Sequence, residues 1–160
     1  MKLHFITIPL ITLAVALLGS LFTSGGMMWY KGLTLPPIAP SGFVIGIIWT
    51  IIFILTAISA IKIWDAFHSS KRNKSEISHF YSILGLYITN AFLNAGWSFL
   101  FFTKSLILAS IIEMVVLNLT VAMLIFFNWR FSKLASYLLI PYFVWVCFAT
   151  ALAIEIWLVN

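Results

Sequence analysis

Charge is what this sequence has least of. Four acidic and nine basic side chains make up 8% of the 160 residues, against 63% apolar, whereas a soluble domain is about a quarter charged. That scarcity excludes a water-soluble globule, and it excludes a disordered chain, which needs the reverse composition. The net charge of +5 rests on few basic residues, none interleaved with a soluble aromatic platform, so no nucleic-acid partner is expected. Cysteine is nearly absent: Cys147 stands alone inside an apolar run, which rules out an intrachain disulfide and a cysteine-rich metal site. Histidine is confined to His4, His68 and His79, at or beyond the ends of apolar runs. No imidazole therefore lies in the hydrophobic interior to ligate a haem iron. No Ser/His/Asp set is within reach and no two carboxylates share one depth, which argues against hydrolytic chemistry. No metal site and no resident cofactor are expected. Internal repeats, usual in secondary transporters, are missing as well.

What the chain does have is long hydrophobic runs. A bilayer core of about 30 Å takes about 20 apolar residues per helix, and five runs of that order occupy residues 5–23, 43–64, 80–102, 106–127 and 134–159. They are far longer than barrel strands. The expected architecture is all-α: an integral membrane bundle of five transmembrane helices, one domain over residues 1–160, with a Pro/Gly-bearing lid loop at 24–42. The first run also has features of a secretory signal, with Lys2 before it and Ser24, Gly25 and Gly26 after it, but it is longer than the apolar region of such signals.

Orientation follows from Lys and Arg, which favour the cytoplasmic side. Lys2, Lys62, Lys71, Arg72, Lys74, Arg130 and Lys133 fall on one side, and only Lys31 and Lys104 on the other. The amino terminus is therefore expected in the cytoplasm or its equivalent, with the carboxyl terminus and lid loop opposite. Trp29, Trp64, Trp129 and Trp157 land near run ends, where indoles anchor at the headgroup boundary.

The other tryptophans lie deeper. At 1.5 Å per residue, Trp49 and Trp97 are about 9 and 8 Å below the far-side ends of their helices, Glu113 about 10 Å, and Asn94 and Asn90 about 12 and 18 Å. Trp145 is nearer mid-membrane. Packing explains any one of the aromatics, and interhelical hydrogen bonds explain the asparagines, at about 0.6 kcal/mol each. Glu113 is harder to explain so, since a charge at that depth costs on the order of 2.5–3.5 kcal/mol. It should face the bundle interior, with an indole or amide near Trp97 and Asn94 as the nearest donor. Together these groups predict an aromatic-lined apolar cavity under the lid, suited to a flat, conjugated, amphipathic ligand better than to an ion.

The segments WYKGLTLPPIAP (29–40), FVIGIIWTIIF (43–53), LNAGWSFLFF (93–102) and LLIPYFVWVCFATAL (138–152) resemble, in order, the motifs of the translocator protein family. That family includes the bacterial tryptophan-rich sensory proteins and the peripheral-type benzodiazepine receptor. The resemblance implies a five-helix membrane homodimer that binds porphyrins, sterols and synthetic isoquinoline or benzodiazepine ligands in a pocket closed by the first loop. Some bacterial members are associated with light-dependent porphyrin breakdown. Carried over by motif, the ligand-binding residues are Tyr30, Pro36, Pro40, Trp49, Phe53, Asn94, Trp97, Ser98, Glu113, Trp145, Phe148, Ala149 and Leu152; the depth band adds Asn90. Trp49 and Trp145 would be the catalytic pair if the protein is photochemical.

The chain also departs from the family pattern. Its loop reads Leu35, Pro36, Pro37, Ile38, Ala39, Pro40, Ser41, without the family's aromatic and cationic members, and Ile154 and Leu158 stand where the animal sterol-recognition stretch has tyrosine and arginine. A tetrapyrrole is thus the preferred ligand over a sterol. Small residues four apart allow close helix approach: Ala91 and Ala95 are the favoured dimer face, with Gly42 and Gly46 as the alternative. Two functional classes stay open, a binding protein for sensing, trafficking or regulation and a photo-oxidative enzyme; a membrane scaffold with a vestigial cavity is the third.

Overall fold

The computed structural model describes residues 3–69, 71 and 73–160. Lys2 and Arg72, both used for the orientation, lie outside the described residues. The chain forms α1 (His4–Lys31), α2 (Gly42–His68), α3 (Lys74–Ser98) continuing into a π-helical turn (Phe99–Thr103), α4 (Ile107–Asn128), α5 (Lys133–Tyr137) and α6 (Ile140–Val159). With α5 and α6 taken together, five segments are long and apolar enough to cross a membrane. The all-α, five-span expectation holds.

The boundaries moved where local chemistry outweighed hydropathy. Helix α1 does not stop at residue 23 but runs on to Lys31, which shortens the loop from the expected 24–42 to 32–41. Gly25 and Gly26 read as punctuation, yet Gly26 serves helix packing. It is the one buried residue of α1, and a Cβ there would collide with the backbone of Phe102. Helix α3 begins six residues before the expected 80, because Asn73 and Glu76 form a reciprocal capping box that satisfies the first-turn amides. The fifth span is interrupted at 138–139. Pro141, in the first turn of α6, has no N–H to return to Tyr137, so the helix restarts there. At the end of α3 the Lys104 amide bonds back to the Phe99 carbonyl at 3.0 Å, and Ser105 takes φ 55°. The chain thus turns within three residues into α4.

Helix α1 packs on α2, α3 and the π-turn; α3 packs on α4, α4 on α6, and α2 on α5. The core is shared by α2, α3, α4 and the α5–α6 span, built on Ile52, Ile63, Ile83, Leu117, Val121, Leu124, Leu139, Tyr142 and Val146. Helix α1 contributes nothing to it and stands as an outer wall. At the end of the bundle that carries Lys62 and Lys133, the Ser59 hydroxyl donates to the Ala135 carbonyl (2.7 Å) and meets the Tyr87 hydroxyl (2.7 Å), to which the Asn128 amide also donates (2.9 Å), tying four helices together. Trp129 and Trp157 face outward, but Trp64 packs on the core and Trp29 against Phe101, so only two of the four boundary indoles are free to lie in a belt.

Candidate functional site: an aromatic chamber between α1, α2, α3 and α6

The gap between α1 and the core encloses a chamber of about 400 Å³, within the size range of small-molecule sites. Its α2 wall carries Trp49, Thr50 and Phe53; α3 and the π-turn supply Asn94, Trp97, Ser98, Phe101 and Phe102; α6 adds Trp145, Ala149, Leu152, Ala153 and Ile156. The rings form a continuous row. Phe53 lies 5.8 Å from Trp49, Trp49 stacks on Trp97 at 6.0 Å, and Trp97 stacks on Phe101 at 5.7 Å. The π-turn makes this possible, because its wider winding brings Phe101 and Phe102 to the same side as Trp97, where both contact it.

Polar groups are few. The Asn94 side-chain amide donates to the Tyr142 hydroxyl at 2.8 Å, Tyr142 donates to the Asn90 side-chain oxygen at 3.3 Å, and the Asn90 side-chain amide donates to the Thr120 hydroxyl at 3.1 Å. Tyr142 in turn meets Trp49 edge-on at 6.0 Å. This buried relay fixes the ring of Trp49 from behind. The indole N–H groups of Trp97 and Trp145 are buried without an acceptor, a condition that costs about 1–3 kcal/mol per group.

Of the residues expected at the site, Tyr30, Trp49, Phe53, Asn94, Trp97, Ser98, Trp145, Ala149 and Leu152 line this one chamber. Five do not. Glu113 belongs to α4, which packs behind α3 and α6 and lends no residue to the wall. Both its carboxyl oxygens are buried without a hydrogen-bond partner, so the donor expected near Trp97 and Asn94 is not supplied. Asn90 lies one turn deeper, in a second chamber. Phe148 lies outside the wall, against Trp145 at 5.4 Å. Pro36 and Pro40 shape the loop, the Pro36 carbonyl accepting from the Ala39 amide at 2.9 Å. The contact that caps the chamber is made instead by Leu33 and Ala39, packed on the cluster of Phe101, Leu152 and Ile156.

The α1 wall was missed. Ala16, Gly19, Ser20, Thr23 and Met27 all line the chamber; they share one helical face, small in its first four members and closed by Met27. Ala91 and Ala95 line the second chamber, beside α1. Among the described residues no cluster of His, Cys, Asp and Glu could hold a metal.

These features define a multi-pass membrane protein of five spans with an intramembrane aromatic chamber. Residues 5–158 match the TspO/MBR family. The chain belongs to that family. It is 35% identical to the uncharacterized membrane protein YtaB of Bacillus subtilis, across 86% of this chain and 87% of that one. Identity is 34% to the tryptophan-rich protein TspO of Archaeoglobus fulgidus, across 94% and 93% of the two chains. With the translocator protein of Homo sapiens it is 28%, across 89% and 81%.

Proposed function

We propose that the chamber binds a flat, hydrophobic, conjugated ligand of the porphyrin or tetrapyrrole class, for sensing, trafficking or regulation, and that loop 32–41 closes over it. The observation that carries this reading is the row of rings from Phe53 through Trp49 and Trp97 to Phe101, an aromatic wall against which a planar π-system packs by offset or edge-to-face contact. The two unmet indole donors suit a ligand that brings acceptors to its edge. The rest of the wall is apolar, and no residue of it offers a charge to an ion. The protein supplies no cofactor; porphyrin is ligand or substrate. The same reading places the amino terminus on the cytoplasmic side, with Lys62, Lys71, Lys74, Arg130 and Lys133 at one end of the bundle and Lys31 and Lys104 at the other. It also takes the working unit to be a homodimer.

The second reading is a light-dependent, porphyrin-degrading enzyme in which Trp49 and Trp145 are the catalytic residues. Both indoles line the chamber, where a bound chromophore would lie within reach of their rings. Titration of purified protein with protoporphyrin IX separates the two. Saturable quenching of tryptophan fluorescence with a Soret band stable under light supports binding alone. Bleaching faster than that of free porphyrin, lost in Trp49→Phe or Trp145→Phe, supports the enzyme. Quenching that never saturates refutes both.

A further inference from the structure

A second chamber of about 390 Å³ lies below the first, between α1, α2 and α3, and meets it at Phe53 and Asn94, which line both. We propose that this lower chamber is a separate binding site for an aliphatic chain drawn from the surrounding bilayer.

Its walls run from Ile8 to Leu18 on α1, from Phe53 to Trp64 on α2 and from Phe80 to Ala95 on α3. At 1.5 Å per residue those stretches are about 15–22 Å long. The chamber therefore extends along the helix axes, the direction in which acyl chains lie. Its mouth is the seam between α1 and α3, where Ile11, Leu18, Ile88 and Phe92 belong to the wall and are also exposed on the outside of the bundle. The medium at that depth is hydrocarbon. Between Gly26 and the hydrogen bond of His4 with Asp65 at its other end (2.9 Å), no residue of α1 is fully buried.

The polar groups bordering the chamber call for no headgroup. Asn94, Tyr142, Asn90 and Thr120 bond to one another, and Tyr87 to Ser59 at 2.7 Å. Thr56 alone among the lining residues has a buried polar atom without a partner, too little to hold water, which needs two to four polar contacts. Left unoccupied, a space of this size would forfeit dispersion contacts along its whole lining. A methylene chain from the bilayer restores them with no desolvation of polar groups.

The test uses the whole protein in dioleoylphosphatidylcholine vesicles doped with a phosphatidylcholine that carries a diazirine midway along one acyl chain. After illumination, adducts are mapped by mass spectrometry. Inner-wall Val15 should be labelled, and its labelling should fall at least five-fold in Ala91→Phe and in Ala60→Leu, which fill the chamber from opposite walls. Adducts on outward-facing Phe126 should not change in either variant, which reports an intact, lipid-embedded bundle. Labelling confined to outward-facing residues overturns the proposal; a second copy seated over the seam would give that pattern. Val15 labelling indifferent to both fillings overturns it too. Protoporphyrin quenching in the same vesicles reads the upper chamber separately, so the two sites stand or fall independently.

Discussion

Adjacent glycines in α1 should respond oppositely to the same substitution. At Gly26 an added Cβ meets the carbonyl oxygen, carbonyl carbon and Cα of Phe102, all backbone atoms that no rotamer change can move aside. At Gly25 an added Cβ meets nothing within 4 Å. Neither glycine has positive φ, so alanine is conformationally acceptable at both and the contact alone differs. Overpacking of this kind costs about 1–3 kcal/mol. At about 2–4 °C per kcal/mol for a chain of this size, Gly26→Ala should lower the thermal midpoint by roughly 2–12 °C. Gly25→Ala should be neutral or slightly stabilising, because alanine is the better helix former by up to about 1 kcal/mol. The Gly26 variant also pushes the small-residue wall of Ala16, Gly19 and Thr23 away from the chamber, so porphyrin affinity should fall with it. Both variants are compared in one detergent by tryptophan fluorescence on heating. Equal midpoints, or a more stable Gly26→Ala, would refute close docking of α1 on the π-turn.

Other residues make separate predictions. Asn160 clasps the loop by accepting from the Thr34 amide (2.9 Å) and donating to the Thr34 carbonyl (3.0 Å); Asn160→Ala should speed amide hydrogen exchange at 33–39 and ligand release by several-fold, with the midpoint nearly unchanged because the bonds are exposed. Tyr142→Phe removes the acceptor of the buried Asn94 amide and should destabilise by about 1–3 kcal/mol, read as a lower thermal midpoint. Glu113→Leu replaces a buried carboxyl that has no partner and should raise the midpoint without weakening porphyrin binding; weaker binding would mean that the carboxyl reaches the chamber.

Hydropathy made the five spans legible, and counting residues from helix ends placed Trp49, Trp97, Trp145 and Asn94 at one height. Height is not direction. Glu113 has the right depth on α4, but the azimuth of α4 is set by the face of Ser110, Met114, Leu117, Val121 and Leu124 that it buries, and in a helix apolar nearly all round the sequence pattern hardly marks that face. Asn90 shows the same limit on α3, where one turn separates the two chambers. Long-range contacts were equally hidden. Gly26 sits where the Phe102 backbone leaves no room for a Cβ, and nothing near Gly26 in the sequence announces it. The π-turn gives no local signal either, although it brings Phe101 and Phe102 into the wall. The stripe from Ala16 to Thr23 was readable, but a run read only as a membrane span conceals which of its faces is small.

The account depends most on the upper chamber being where the planar ligand sits. Ala149 lines it on α6, and Ala149→Trp fills it without touching the outer surface of α4 or the seam between α1 and α3. Equilibrium titration with protoporphyrin IX should give one saturable site in the unaltered protein and at least ten-fold weaker binding in Ala149→Trp at an unchanged thermal midpoint. Equal affinity in the two proteins would place the ligand elsewhere and contradict the account.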